Sequence, residues 1–168
     1  MATKLRNATL VFLIEKERDE ISRVCLAMKK RGFGVNRWNG VGGKVEAEEE
    51  IEQAAIREAR EEIGVEIKEL KKTAELSFYF PHNPDWDQLV HVFFAEKWEG
   101  EPSESEEMRP DWFELPGIPF ENMWPDDEYW LPEVLKGNSL EAMFKFGEGD
   151  AILEKEIKIL ENNQNRNL

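Results

Sequence analysis

Residues 43–65 read GKVEAEEEIEQAAIREAREEIGV, a helix-forming segment whose apolar stripe runs into carboxylates. Helical periodicity spans residues 48–63, and Gly64 follows as a C-terminal stop. With Glu58 placed at zero and a turn of about 100° per residue, Ile51 falls at about +20°, Ala54 at about −40° and Ala55 at about +60°. Glu62 then falls at about +40° and Glu61 at about −60°. Glu58, Glu61 and Glu62 therefore crowd the stripe expected to face the protein body. Like charges four residues apart weaken a helix by roughly 0.2–0.5 kcal/mol even in water, and partial burial adds to that cost. A hard cation with oxygen ligands would reverse the sign. The spacing alone leaves two readings open: a metal-holding face, or a solvated Glu-rich helix in which Arg57 and Arg60 pair locally.

Around this segment the chain alternates short apolar runs with polar breaks. Residues 9–14 and 24–28 read as strands, separated by the charged turn EKERDEIS at 15–22. Residues 29–44, KKRGFGVNRWNGVGGK, hold five glycines and read as a loop. Residues 76–80 and 89–94 look like strands joined by a proline-containing loop, and 100–111 like a polar connection. After the Pro- and aromatic-rich stretch at 112–125, Asp126 is placed to cap a second helix reaching about Lys136. Residues 143–146 and 151–159 are candidate closing strands, and 161–168 form a polar tail expected to fray. Strands mixed with two helices predict an α+β or α/β sandwich, with residues 1–160 as a single domain.

Charge narrows the partners. A net charge of −14 argues against a polymeric nucleic-acid partner, which calls for a basic face. An acidic protein still binds a phosphorylated small molecule if a divalent cation bridges the charges; plain solubility explains the acidity equally. Cys25 is the single cysteine, excludes an internal disulfide, and sits in an apolar run as a core residue. The first residues lack a long apolar region and no stretch approaches a membrane span, so no membrane partner and a cytoplasmic location are expected.

The acidic segment resembles the Nudix box: a glycine, five residues, a glutamate, seven residues, then Arg-Glu-hydrophobic-x-Glu-Glu-x-Gly-hydrophobic. Gly43, Glu49, Arg57, Glu58, Glu61, Glu62, Gly64 and Val65 fall in register, with Ala59 where a larger aliphatic is usual. The resemblance implies the Nudix fold, an α/β/α sandwich with a mixed central sheet, and a Mg2+ cofactor for which Mn2+ can substitute. It implies Glu58, Glu61 and Glu62 as metal ligands, with the backbone carbonyl of Gly42, and Glu49 and Arg57 as supports of loop and helix.

Beyond the box, LAMKKRGFG, RWNGVGGKV, EEMRPDWF, IPFENMWPDDEYW and FKF resemble the MutT-homologue branch of that superfamily, whose members act on oxidised purine nucleoside triphosphates. That resemblance implies a monomer that hydrolyses free triphosphates such as 8-oxo-dGTP and 2-hydroxy-dATP to monophosphate and pyrophosphate, sanitising the nucleotide pool. It implies Asn39, Trp124, Asp126 and Asp127 as the base-reading set, Phe33, Phe78 and Phe80 as pocket lining, and Thr9 and Lys29 at its edge. Glu107 becomes an extra carboxylate at the metal, and Glu61, Glu62 and Glu107 the candidates for the general base. The residue types suit these tasks: aromatic faces stack on a purine, an amide both donates and accepts, and two crowded carboxyls share a proton. Read without the resemblance, Asp126 and Asp127 are a helix cap and a first-turn acid, the aromatics are core, Lys29 is solvated and Thr9 an ordinary strand residue. Other nucleoside diphosphate derivatives (a dinucleoside polyphosphate, a nucleotide sugar) and a non-catalytic nucleotide-binding module are the alternatives. The loop PHNPDWDQL departs from the branch and leaves one pocket wall open.

Overall fold

The computed structural model describes residues 5–162. Strands β1 (Arg6–Glu17) and β2 (Glu20–Lys29) form a hairpin closed by Arg18 and Asp19 alone. Both turn residues have positive φ, 52° and 68°, the mirror-image turn whose twist matches paired strands. Residues 15–22 are thus mostly strand and not the long turn expected. Their charges read as a loop because this end of the sheet is exposed, and they pair across strands, Arg23 with Glu15 at 2.6 Å and Lys16 with Glu96 at 3.2 Å.

The remaining elements are β3 (Trp38–Asn39), α1 (Ile51–Ile63), β4 (Glu66–Tyr79), β5 (Gln88–Glu99), β6 (Met108–Glu114), α2 (Asp127–Leu135), β7 (Asn138–Phe146) and β8 (Ile152–Asn162). The sheet order is β3-β2-β1-β5-β4-β7-β8, with β6 on the other edge of β2. β1 runs parallel to β5 and β4 parallel to β7, while the other pairs are antiparallel. This is the mixed sheet expected. β1 and β2 alternate between its faces. Val11, Leu13, Cys25 and Ala27 pack with Ala55, Ala59 and Ile63 of α1. Phe12, Ile14, Val24 and Leu26 pack in the opposite layer with Trp130, Leu131 and Val134 of α2. A helix on each face completes the sandwich; each large side chain so buried contributes roughly 1.5–3 kcal/mol. Cys25 belongs to the first layer as expected, and burial pushes its thiol up to about 12.

Several boundaries differ from the sequence reading. α1 starts at Ile51 because Glu48 takes a left-handed φ of 65° and Glu50 forms a capping box with Gln53. Its end is as expected: Gly64, at φ 73°, donates its N–H to the Arg60 carbonyl. The polar stretch 100–111 ends inside β6, whose pairing partner β2 lies far away in sequence. Glu161 and Asn162, assigned to the frayed tail, pair with Ser139 and Asn138, and residues 163–168 lie outside the described residues. Among the described residues no helix is long and apolar enough to cross a membrane.

The cleft arises where β1 and β2 part. Past Ile14 and Val24 they no longer pair, and β3 takes the vacated edge of β2. The glycine-rich loop takes the edge of β1, through bridges from Val11 to Val41 and from Ala8 to Lys44. This brings the loop over the C-terminal half of α1.

Candidate active site

Close approach defines the loop. Thr9 N–H donates to the Gly43 carbonyl at 2.8 Å, and its hydroxyl reaches the same oxygen at 3.4 Å. A Cβ on Gly42 would stand 1.9 Å from the Thr9 carbonyl oxygen, and one on Gly43 would stand 2.7 Å from a Glu58 carboxylate oxygen. Glycine is required here for space. Gly42→Ala is therefore expected to cost roughly 1–3 kcal/mol, lowering Tm by roughly 2–4 °C per kcal/mol for a chain of this size. Thermal denaturation checks this, with Gly117→Ala as the control, because nothing lies within 4 Å of a Cβ there.

Arg57 clasps the loop to the helix. Its Nε and Nη2 donate to the two carboxylate oxygens of Glu49 at 2.8 and 3.0 Å, and Nη2 also reaches the Lys44 carbonyl at 3.2 Å. Its Nη1 donates to Glu58 at 2.9 Å and Glu61 at 3.3 Å. The Glu49 partner pushes the guanidinium pKa further up, so Arg57 is a permanent cation, and Arg57 pulls the Glu49 carboxyl down. Arg57 and Glu49, named as supports on the resemblance, are thus bonded to each other between helix and loop.

Glu62 lies deepest among the acids of α1, 5% exposed, and accepts from the Gly42 N–H at 3.3 Å. Burial, then the neighbouring Glu58 charge, pushes its carboxyl up to about 8. Glu61 departs from the expected stripe: its side chain is 59% exposed. The buried arc of α1 includes Ala59 and Ile63, at about +100° and +140° on the wheel, so the helix is rolled away from Glu61. Glu107 also stands apart. It is exposed, and its carboxylate pairs with Arg31 at 3.5 Å. Among the described residues no three acidic side chains are drawn together in metal-holding geometry. The donor chemistry at the loop nevertheless fits a hard divalent cation: a buried carboxyl that resists ionisation until positive charge arrives, beside a second carboxylate.

The loop also walls a cavity of about 280 Å³, and every base-reading and lining residue expected from the sequence borders it. Thr9, Asn39, Asp126 and Asp127 supply polar groups, and Lys29 lies at the end toward the acids, its charge acting on Glu62. The aromatic wall is continuous: Phe33 lies 5.0 Å from Trp124 and 6.2 Å from Phe80, and Phe80 stacks on Phe146 at 5.2 Å. The PHNPDWDQL loop completes it, since Trp86 packs on Phe33 at 5.2 Å and Asp87 accepts the Phe80 N–H at 2.7 Å. Phe146 and Arg37, absent from the sets expected from the sequence, also border the cavity. FKF carried the first and RWNGVGGKV the second, but neither motif gave that residue a role.

Asp126 and Asp127 are each 2% exposed. Asp126 occupies the N-cap position of α2 without making a side-chain cap bond. Its Oδ2 accepts instead from the Trp130 indole N–H at 2.8 Å, which displaces the capping reading. The two carboxyls are hydrogen-bonded to each other. Burial raises both; the charge of Asp126 raises Asp127 further, well above the usual range. Asp127 Oδ2 is the one buried side-chain polar atom among the described residues without a hydrogen-bond partner. A buried atom left in that condition costs free energy until something binds it.

The NUDIX domain profile matches residues 4–134. The oxidized purine nucleoside triphosphate hydrolase of Mus musculus is 46% identical over 150 residues, spanning 89% of this chain and 92% of that protein. The enzyme of the same name from Danio rerio is 44% identical over 154 residues, spanning 92% and 95%. Among solved structures, a MutT protein from Bacillus halodurans superposes with a TM-score of 0.77 at 23% identity, covering 92% of this chain and 98% of its own, a likeness of fold.

Proposed function

The chain belongs to the Nudix family, and on that premise we propose that it hydrolyses oxidised purine nucleoside triphosphates, such as 8-oxo-dGTP and 2-hydroxy-dATP, to the monophosphate and pyrophosphate. The observation that carries this reading is the buried pair Asp126 and Asp127, one oxygen still unpartnered, at an aromatic-walled cavity beside the acidic helix. The relatives named for oxidised purine hydrolysis match nearly the whole chain. Removal of such nucleotides sanitises the pool from which nucleic acid is made. We take the chain through β8 as one domain, the expected 1–160 extended by Glu161 and Asn162, because β7 and β8 continue the same sheet, and the protein as a cytoplasmic monomer acting on a free nucleotide.

Nudix hydrolases use a divalent cation such as Mg2+. Here Glu58, Glu62 and the Gly42 carbonyl would hold Mg2+ (or Mn2+), with Glu61 and Glu107 recruited from their Arg57 and Arg31 partners. The bound ion would supply charge neutralisation at the phosphoryl oxygens. The remaining work falls to side chains. Trp124, Phe33 and Phe80 hold the purine plane, and Asn39, Asp126 and Asp127 read its edge. Arg57 fixes the loop so that acids and phosphates face each other. A water attacks the β-phosphorus in line, its proton passes to one of Glu61, Glu62 or Glu107, the bond from the β-phosphorus to the bridging oxygen breaks, and the nucleoside monophosphate leaves while the water oxygen stays on pyrophosphate.

The test is the fate of solvent oxygen. Hydrolysis of 8-oxo-dGTP in heavy-oxygen water with Mg2+ is expected to label the pyrophosphate and leave the monophosphate unlabelled. Diphosphate and orthophosphate as first products would contradict the reading.

A further inference from the structure

The loop that carries Asn39 also carries Arg37, which has no part in the sets above. Its guanidinium carbon lies 4.2 Å from the centroid of the Trp124 ring. Its Nη1 donates to Asp150 Oδ2 at 2.9 Å. Asp150 ends the turn between β7 and β8 with a φ of 63°, so three segments far apart in sequence converge on one cation. Trp124 is pinned from other sides by Phe33 and Phe146, and a Cβ on Gly34 would stand 3.2 Å from its indole nitrogen.

Three cations border the cavity, Lys29 from β2 and Arg37 and Lys44 from the loop. They divide the field. Lys29 favours the ionised form of Glu62, at the phosphate end; at the base end burial raises Asp126, the hydrogen bonds from Trp130 and Asp127 oppose that, and Arg37 adds its charge to theirs. The other charged groups facing Asp126 are Asp127 from its own helix and, behind Arg37, Asp150. Asp126 already accepts from Trp130, which suits a carboxylate. Asp127, beside that charge, has an oxygen with no protein partner.

We propose that Arg37 is a specificity-determining positioning residue: it clamps the Trp124 ring and holds the negative charge of the aspartate pair on Asp126, so that Asp127 keeps the proton, bonded back to Asp126 in the free protein and turned to the base as a donor when the base binds. This rests on the base-pocket reading given under Proposed function. Arg37 thereby fixes which donor and acceptor pattern the pocket offers, although it acts on the base through its two neighbours.

Two variants of the full chain separate clamp from charge. Arg37→Met keeps length and loses charge; Arg37→Lys keeps charge and loses the flat guanidinium. In Arg37→Met, KM for 8-oxo-dGTP is expected to rise roughly tenfold with kcat little changed, and the acid limb of kcat/KM to move to higher pH. Arg37→Lys is expected to return that limb to its wild-type position while KM stays raised. Carboxyl-carbon NMR of Asp126 and Asp127 against pH, in substrate-free protein, reads the charge directly: the Asp126 midpoint moves up in Arg37→Met and not in Arg37→Lys. An Asp126 midpoint unmoved in Arg37→Met overturns the inference, as does an unchanged KM. If that midpoint moves while the wild type shows no preference for 8-oxo-dGTP over dGTP, the charge assignment stands and the base-pocket reading fails.

Discussion

Glu62→Gln is expected to lower kcat by roughly three orders of magnitude or more, the scale of a metal-assisted step that loses its organiser. It is also expected to stabilise the metal-free protein. Glu62 is held near pKa 8 in the folded chain against an ordinary 4.5. Between those two values the unfolded chain has released a proton that the folded chain keeps, so folding stability falls as pH rises through the window. The favourable contribution of protonated Glu62 is full below about 4.5 and gone above about 8. Glutamine does not titrate. The variant's advantage without metal is therefore absent at the acid end and grows to the order of a few kcal/mol at the alkaline end, or roughly 2–4 °C in Tm per kcal/mol. Chelation abolishes wild-type turnover on the same account. Kinetics with Mg2+, and melting in chelator at both ends of the window, check the two halves together. Near wild-type kcat in a folded variant removes Glu62 from the chemistry; an equal Tm at both pH values removes the buried-charge argument.

Asp126→Asn and Asp127→Asn are expected to raise KM for oxidised purines and to change the preferred base, with kcat less affected. An ionised carboxylate only accepts, a protonated one also donates, and an amide does both in fixed places. A polar pocket that loses one partner gives up roughly 1–3 kcal/mol, about five- to 150-fold in KM. Asp126→Asn carries the larger effect, because it replaces the acceptor of the Trp130 N–H and removes the charge that keeps Asp127 protonated. In Asp127→Asn the amide still donates, so it partly imitates the protonated acid. The wild type has a related pH signature. Burial raises Asp126 to about 6, so KM is expected to rise as pH falls through that value and Asp126 loses its acceptor character. Steady-state kinetics with 8-oxo-dGTP, 2-hydroxy-dATP, dGTP and dATP check both variants. Wild-type ranking and affinities in both would leave the two aspartates as structural residues only.

The parts of the site legible in the sequence are those whose partners are close along the chain. Arg57, Glu49, Glu58 and Glu62 lie within two helical turns and a short loop, so the resemblance could name the clasp from one contiguous stretch, while spacing put Glu62 on the apolar stripe and left its role open. Asp126 and Trp130 stand one helical turn apart in WPDDEYW, but capping was the cheaper reading until burial showed the indole bond. Glu61 was misjudged because a helical wheel gives relative angles and no absolute roll; roll is set by what packs beneath, here Val11, Leu13 and Phe93. Arg37 opens RWNGVGGKV, but its role was hidden because its anchor, Asp150, is 113 residues away. β6 was hidden for the same reason: its partner strand β2 closes a long loop, and only pairing makes so polar a stretch a strand.

The central claim is tested most directly by wild-type kcat/KM for 8-oxo-dGTP against dGTP in the presence of Mg2+. The account predicts a clear preference for the oxidised nucleotide, expressed mainly in KM, because the pair Asp126 and Asp127 presents an acceptor and a donor to a base edge that gains a hydrogen at N7. Equal values for the two nucleotides, or a preference for dGTP, would contradict it.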